Sequence, residues 1–194
     1  MSLNKIGGRA AHRLRSGLRG GPHNMRGTQE DYANFGRDVR MFIGERDAKF
    51  FIDLLEHRSS HLSNFSCQYN IVDGELKSVF WADGVSKANF QAFGDVLAFD
   101  ATYHTNKYDM IFVPFTGVDH HKRCITFGAG LIANESVESY QWLLQCFVQT
   151  YPKAPSLVLT DQDPAMLQAV ESVFKNSSHR LCMWHIMKKL PAKA

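Results

Sequence analysis

Residues 157–164 have the sequence LVLTDQDP, a strand-like run followed directly by two acids and a proline. A short apolar run of this kind is typical of a strand that is buried on both faces in a parallel sheet. An aspartate at position 163 before Pro164 is typical of a helix start, with the aspartate as N-cap and the proline at the first helical position. The stretch therefore predicts a buried strand that ends at Asp161 and leads at once into a helix.

An apolar strand that runs into an aspartate also occurs upstream, where residues 96–102 read VLAFDAT. The predicted elements of the second half are strands 96–102, 111–118 and 123–132, helix 137–151, strand 157–160, a helix from Pro164, and strand 180–184. Three meandering strands followed by helix, strand, helix and strand form a mixed sheet. Because crossovers are right-handed, the fourth strand lies parallel to the first. We therefore expect an α/β (α+β) fold.

Residues 38–94, which precede this sheet, are predicted to form two helices and a hairpin. They are a helix from Asp47 to about Arg58, two strands over 65–72 and 75–81, and a short helix over 86–93. The two strands are joined by Asp73-Gly74, a dipeptide that tolerates positive φ and favours a hairpin. Apolar and polar residues alternate along the first of these strands, so we expect a half-buried hairpin that leads into the core.

The charge of the chain is concentrated at its N-terminus. The net charge is +3 over 194 residues, yet residues 1–27 contain six Lys or Arg and no acid, so the remainder is net acidic. This basic segment has little apolar content, and residues 1–37 are expected to be a disordered arm or linker. The arm is then a solvated tail, or it contacts nucleic-acid phosphates through Arg13, Arg15 and Arg19.

Other classes of protein are disfavoured by composition. No apolar run approaches the roughly 18 residues that span a bilayer, and the charged N-terminus lacks the apolar segment of a secretory signal. The four cysteines are widely spaced and form no Cys-x-x-Cys pair, which is typical of reduced thiols in the cytosol or nucleus.

Two aspartates are candidates for metal chemistry. Asp100 lies in the first strand of the predicted sheet and Asp161 closes the fourth, so both carboxylates should emerge close together if those strands are neighbours. A divalent cation such as Mg²⁺ or Mn²⁺ relieves the repulsion between two carboxylates and supports phosphoryl transfer. The plainer alternative is that each aspartate forms a turn or caps a helix. Asp163 fits a cap better than a ligand.

Cys182 and His185 form a Cys-x-x-His spacing on the predicted last strand. A tetrahedral zinc site needs four ligands, and no second pair stands nearby at a suitable spacing. The pair is therefore a weak zinc candidate, and a structural role is the simpler interpretation.

Six short motifs occur in the order and with the gaps of one protein family. They are residues 79–83 (VFWAD), 93–96 (FGDV), 99–103 (FDATY), 105–110 (TNKYDM), 160–163 (TDQD) and 179–189 (HRLCMWHIMKK). With them, residues 38–194 resemble the Mutator-like (MULE) transposase-derived domain of the plant FAR-RED IMPAIRED RESPONSE and FAR-RED ELONGATED HYPOCOTYL family. The resemblance implies a ribonuclease H-like core over residues 95–194.

The resemblance also suggests roles for individual residues. In the parent transposases the first two acids of an Asp-Asp-Glu triad correspond to Asp100 and Asp161, which would form a vestigial catalytic and metal-binding pair. Cys182 and His185 correspond to a Cys-x-x-His element. The third acid of the family lies beyond a helical insertion, and no acid follows Glu171 here. We therefore expect a core truncated before that insertion, as a fragment or truncated gene product, which is not an enzyme as it stands.

The function implied by the resemblance is that of a domesticated transposase domain in a nuclear transcription regulator of the far-red light and phytochrome A type. Its partners would be DNA, through domains outside this chain, and other family members as homo- or heterodimers, with no membrane and no small-molecule substrate. Zinc would be bound by family domains outside this chain. The alternative is the core of an active Mutator-like transposase that cleaves and transfers DNA strands with Mg²⁺.

A third, weaker hypothesis is a truncated relative that acts as a dimer-forming competitor. For each of these functions, loss of the helical insertion should leave apolar surface exposed near residues 181–187.

Overall fold

The computed structural model of the chain describes residues 8–44, 47–102, 106 and 108–189. They divide into two compact units, Met1–Asp53 and Leu54–Ala194. Within the described residues, none of the helices combines the length and the hydropathy needed to cross a bilayer.

The first unit contains two helices, α1 (Gly8–Leu18) and α2 (Gln29–Gly44), with a single 3₁₀ turn between them. His12 on α1 is 6% exposed, and its Nε2 lies 3.2 Å from the carbonyl oxygen of Gly27. Its ring also meets the edge of Tyr32 on α2. The two helices therefore pack through polar and aromatic side chains.

The prediction of a disordered arm over residues 1–37 differs from this part of the structure, because residues 8–37 include α1 and the start of α2. Thr28 and Asp31 explain where α2 begins. The Asp31 carboxylate accepts hydrogen bonds from the backbone N–H and hydroxyl of Thr28, and the Asp31 N–H donates to the Thr28 hydroxyl oxygen. This reciprocal arrangement is a capping box with Asp in place of Glu. The low apolar content of residues 8–37 is the reason why the sequence pattern did not predict these helices.

The second unit is built on a seven-stranded mixed sheet. Its strands are β1 (Ser66–Val72), β2 (Glu75–Ala82), β3 (Val96–Phe99), β4 (Ile111–Val118), β5 (Cys124–Ile132), β6 (Leu157–Thr160) and β7 (Ser178–Leu181). Their order in the sheet is β1-β2-β5-β4-β3-β6-β7. The pairs β3–β6 and β6–β7 are parallel, and all the others are antiparallel. The predicted mixed α+β sheet is confirmed, with β6 parallel to β3 as expected.

The hairpin joins this sheet, because β2 pairs with β5. Asp73 and Gly74 have φ of 52° and 78°, so both central residues take the left-handed region that this dipeptide tolerates. The burial of β1 differs from the sequence prediction. Cys67 is half-buried, but a register shift after Asn70 leaves Ile71 50% exposed at the outer edge of the sheet.

The described helices of the second unit are most of α3 (Asp47–His61), α4 (Gly84–Phe93), α5 (Val137–Thr150), α6 (Pro164–Val173) and α7 (Met183–Lys189). Asp83, Ser136 and Asp163 cap α4, α5 and α6, each accepting a hydrogen bond from a backbone N–H three residues on. Asp163 is thus confirmed as a cap.

Aromatic side chains join the sheet to α4 and α5. Phe147 on α5 stacks on Phe115 of β4 at 4.8 Å between ring centroids and contacts Phe90 of α4 at 5.2 Å. All three rings are at most 3% exposed. Burial of such a side chain is worth roughly 1.5–3 kcal/mol. This cluster fixes the helices on one face of the sheet.

Two element boundaries differ from the sequence prediction. β3 ends at Phe99 rather than at Thr102, so Asp100 follows the strand instead of lying in it, although Thr102 still forms an isolated bridge with Phe112. The last strand ends at Leu181, and the chain turns into α7 from Met183. His185 therefore lies on a helix and not on the predicted strand 180–184.

Candidate functional site: the carboxyl-end row of the parallel strands

Three residues lie side by side where the parallel strands end. Asp100, Asp161 and Cys182 each directly follow the last residue of β3, β6 and β7. Ala98 pairs with Leu159, so the same register continues to place Asp100 beside Asp161. Thr160 pairs with Leu181, which likewise places Cys182 beside Asp161. We call Asp100, Asp161 and Cys182 the carboxyl-end row. Neighbouring strands lie about 4.8 Å apart, so the two acids are next to each other.

Asp161 is held by its own loop and by β7. Its Oδ1 accepts a hydrogen bond of 2.9 Å from the backbone N–H of Asp163. The hydroxyl of Thr160, only 1% exposed, lies 2.9 Å from both the Asp161 carbonyl oxygen and Nε2 of His179. Burial lowers the pKa of His179, which favours its neutral form at this position. The backbone around Asp161 is therefore well fixed.

The first acid of the row contacts the helix that follows the last strand. Nε2 of His185 lies 3.2 Å from Oδ2 of Asp100, and the two side chains are 19% and 46% exposed. Cys182 positions this helix. Its N–H donates to the Thr160 carbonyl oxygen at 2.6 Å, and its own carbonyl oxygen accepts from the N–H of Ile186 in the first turn of α7. His185 is thus placed beside an aspartate of the row.

A further acidic residue, Glu135, belongs to the same end of the sheet and was missed by sequence reasoning. It follows β5, whose last residue pairs with the first residue of β4 at the edge where β3 ends. The hydroxyl of Tyr140 on α5 donates to its Oε1 at 3.0 Å. Burial, together with the negative charges of Asp163 and Asp161, raises the pKa of Glu135. The available signal was an acid at a strand end directly before a helix cap.

Tyr140 is the buried partner of this group. It is 0% exposed, and its pKa is raised by burial, by the hydrogen bond to Glu135 and by the charges of Glu135, Asp163 and Asp161. A neutral tyrosine hydroxyl is therefore a permanent donor beneath the acids. It links the acidic end of the sheet to the aromatic core.

The row has some features of a divalent-cation site and lacks others. Two adjacent carboxylates at the ends of parallel strands are suitable oxygen ligands for Mg²⁺ or Mn²⁺. In this arrangement, however, Asp100 contacts His185. In the part of the chain that the structure describes, no three His, Cys, Asp or Glu side chains converge so that they could hold one ion. The assignment of Asp100 and Asp161 as metal ligands stays a prediction.

The predicted phosphate-contacting arginines lie in the other unit. Arg13 and Arg15 are exposed residues of α1, and Arg19 directly follows that helix and is exposed. Nη1 of Arg15 lies 3.4 Å from the hydroxyl of Tyr32. The side chains are exposed on or directly after α1, and their contact with phosphate stays a prediction.

Comparison with known proteins agrees with this architecture. Residues 96–189, from the start of β3 to the end of α7, match the family model of the MULE transposase domain. The structure and this match define a transposase-derived domain whose two predicted acids lie at the carboxyl-end row.

Curated relatives then identify the family. Protein FAR1-RELATED SEQUENCE 5 from Arabidopsis thaliana is 35% identical over 178 residues, 90% of this chain and 22% of that relative. Protein FAR1-RELATED SEQUENCE 6 is 38% identical over 121 residues, 62% of this chain and 17% of the relative. Protein FAR-RED IMPAIRED RESPONSE 1 is 35% identical over 120 residues, 61% of this chain and 14% of the relative, all from the same plant. The chain belongs to this FAR1-related family and spans 14–22% of the length of these relatives.

Proposed function

We propose that this chain is the transposase-derived domain of a nuclear transcription regulator and that it acts as a folded scaffold without cutting DNA. The contact between His185 and Asp100 supports the scaffold role, because it ties the helix after the last strand to the end of β3. In the parent transposases that the sequence resembles, the residue corresponding to Asp100 is the first acid of a catalytic triad. The domain would thus keep the form of an active site while using its residues to stabilise the fold.

The regulatory part of the proposal is supported by the relatives. One of them is named FAR-RED IMPAIRED RESPONSE 1, so we propose a role in far-red light signalling of the phytochrome A type. The residues after position 27 carry a net negative charge, which suits a domain that does not itself hold a large nucleic-acid surface. DNA recognition and zinc binding are therefore assigned to parts of the full-length protein outside this chain.

Replacement of the two row acids in the full-length protein tests the scaffold role. We expect D100N and D161N to leave activation of a far-red-responsive reporter unchanged, because neither substitution removes the fold. Leu144→Asp is the matched control, since Leu144 is 0% exposed in the core and a buried charge there should abolish both folding and activation. Loss of activation in D100N and D161N at normal protein level would contradict the scaffold role.

The alternative function is that of an active Mutator-like transposase core, and the alignment of Asp100 with Asp161 favours it. By the resemblance, the third acid of such an enzyme lies downstream of Asp161, beyond a helical insertion. It requires Mg²⁺- or Mn²⁺-dependent nicking of duplex DNA by the full-length protein, abolished by D100N and by D161N. Nicking that shows this dependence would replace the scaffold proposal. Its absence, with reporter activation intact, would exclude the enzyme.

Association with family members is proposed through the apolar side chains of residues 181–187. The prediction of exposed apolar surface near residues 181–187 is confirmed: Leu181, Met183 and Met187 are 37%, 67% and 60% exposed. Apolar surface of this kind favours contact with another protein. Size-exclusion chromatography with light scattering tests the proposal. We expect a dimer of this chain that becomes monomeric on Met183→Gln with Met187→Gln, whereas a wild-type monomer at high concentration argues against it.

A further inference from the structure

Two histidines at the end of α3 form a close pair on the surface of the second unit. His57 and His61 are both exposed, and their rings stack with centroids 4.1 Å apart and planes at 24° to each other. Residues four positions apart in a helix lie on the same face, one turn apart. The pair lies before β1, which β2, β5 and β4 separate from β3, so it is distinct from the carboxyl-end row.

Hydrogen bonds determine which ring nitrogen of His61 carries the proton. Its Nδ1 lies 2.8 Å from the carbonyl oxygen of His57 and 2.9 Å from the hydroxyl oxygen of Ser60. The Ser60 hydroxyl itself donates to the same carbonyl oxygen at 3.0 Å. Because a carbonyl oxygen only accepts hydrogen bonds, Nδ1 of His61 is a donor and Nε2 of the neutral ring keeps the lone pair. Histidines that bind metal ions are oriented in this way, with one ring nitrogen bound to a backbone carbonyl.

We propose that His57 and His61 together bind a transition-metal ion of the Zn²⁺ and Cu²⁺ type through their imidazoles. Two histidines at positions i and i+4 of a helix have the spacing with which helices hold zinc. Imidazole is a ligand suited to Zn²⁺, Cu²⁺ and Ni²⁺, whereas Mg²⁺ prefers oxygen ligands. Water completes the coordination, since within the described ranges no third side chain of His, Cys, Asp or Glu converges with the pair. The bound ion joins two successive turns of α3.

The nearest acid along the helix is engaged elsewhere. The carboxylate of Glu56 accepts a hydrogen bond from the hydroxyl of Tyr69 on β1, so it is directed toward the strand. The site therefore depends on the two imidazoles alone, and its affinity requires both of them at once. Both side chains are exposed, so either can be replaced without opening the core.

Titration with Zn²⁺, followed by calorimetry, tests the site in wild type, H57Q, H61Q and the double variant H57Q/H61Q. Each single substitution leaves one contact where two were linked, so the affinity of the tightest site should fall by roughly tenfold or more. The double variant should bind no more weakly than either single one, because a lone imidazole no longer chelates. The matched control is H120Q/H121Q. Those rings are also close, at 3.9 Å between centroids, but they belong to successive residues of the turn before β5 and lack the helical spacing. The control should bind Zn²⁺ as wild type does.

Electron paramagnetic resonance of the complex with one equivalent of Cu²⁺ counts the ligands directly. We expect two imidazole nitrogens in wild type and in the control, and one in H57Q and in H61Q. Unchanged Zn²⁺ affinity in H57Q/H61Q, or a wild-type Cu²⁺ spectrum with a single imidazole, would overturn the proposal. Loss of the tightest site in H120Q/H121Q alone would overturn it as well. These measurements involve neither Asp100 and Asp161 nor reporter activation, so the metal site and the scaffold role can fail separately.

Discussion

The hydroxyl of Tyr140 donates a hydrogen bond of 3.0 Å to Oε1 of Glu135, and this bond connects the aromatic core to the acidic end of the sheet. Tyr140 lies in the first turns of α5 and is 0% exposed, while Glu135 lies in the loop before the cap of that helix. The bond orients the loop after β5 toward Asp161 and Asp163. The Glu135 carboxylate adds negative charge to a region that already contains Asp161 and Asp163. The hydrogen bond from Tyr140 therefore matters for the stability of this region.

Tyr140→Phe should destabilise the domain. The ring keeps its packing, but Glu135 loses a donor in a partly buried position, and such a loss costs about 1 kcal/mol. Chemical denaturation with guanidinium measures the change in the free energy of unfolding. Tyr69→Phe is the matched control, because that hydroxyl donates to Glu56 on the exposed surface, and it should leave stability unchanged. Equal effects of the two substitutions would show that the buried bond contributes nothing special.

Glu135→Gln should change how stability depends on pH. Burial first, and then the charges of Asp163 and Asp161, raise the pKa of Glu135 above its ordinary value of 4.5. The folded state therefore holds this proton more tightly than the unfolded state does. The contribution of Glu135 to stability is present below pH 4.5 and is lost as the pH rises through the folded pKa.

The contributions of other carboxyl groups to stability change with pH in the opposite direction. The effect of Glu135 is therefore obtained as the difference between wild type and a variant that lacks only this carboxyl group. The pKa values of Asp83 and Asp119 are lowered, mainly by backbone hydrogen bonds, so their stabilisation is lost on acidification. We therefore compare melting temperatures of wild type and E135Q from pH 4 upward. The variant should gain stability relative to wild type as the pH rises, because glutamine cannot ionise while its side-chain oxygen still accepts from Tyr140. A difference that stays constant with pH would contradict the raised pKa.

The placement of the acid pair could be predicted from the sequence, because it depends on local signals. Residues 157–160 are strand-forming, Asp163-Pro164 stops the strand, and a right-handed crossover makes β6 parallel to β3. With these three facts, Asp100 and Asp161 have to emerge at one end of the sheet. The exact alignment of the two residues depends on the register, which only the structure supplies.

The contact of His185 could not be predicted in the same way. The run from residue 180 to 184 has strand-like composition, and α7 begins inside it because the last bond of the ladder is made by Cys182. The boundary between β7 and α7 therefore depends on where the neighbouring strand β6 ends. A contact between segments distant in sequence cannot be read from local composition. The helices of residues 8–44 were missed for a related reason. Their interface uses His12, Ser16 and Tyr32, and a count of apolar residues does not detect such packing.

Gly130→Ala should be strongly destabilising. A Cβ at this position on β5 would lie 2.3 Å from Cδ1 of Leu143 and 3.0 Å from the carbonyl oxygen of Val79. Leu143 is 0% exposed and has no room to withdraw, so α5 must shift, at a cost of about 1–3 kcal/mol. Thermal unfolding measures the effect. The double variant with Leu143→Ala tests the cause: its loss of stability should be smaller than the sum of the two single losses, because removal of the leucine removes the clash.

Replacement of the arginines of the first unit should weaken non-specific DNA binding and its dependence on salt. Arg13, Arg15 and Arg19 are exposed on or beside α1, and each contact with a phosphate releases counterions. For the triple Arg→Gln variant we expect the slope of log affinity against log salt concentration to decrease by about 2–3, as for the loss of that many phosphate contacts. Fluorescence anisotropy with a duplex of mixed sequence measures it. The control carries the same change of charge on the second unit, at Lys122, Lys153 and Lys175. An equal decrease in slope for the control would show that only the total charge of the chain matters, and that the three arginines on or beside α1 form no binding surface.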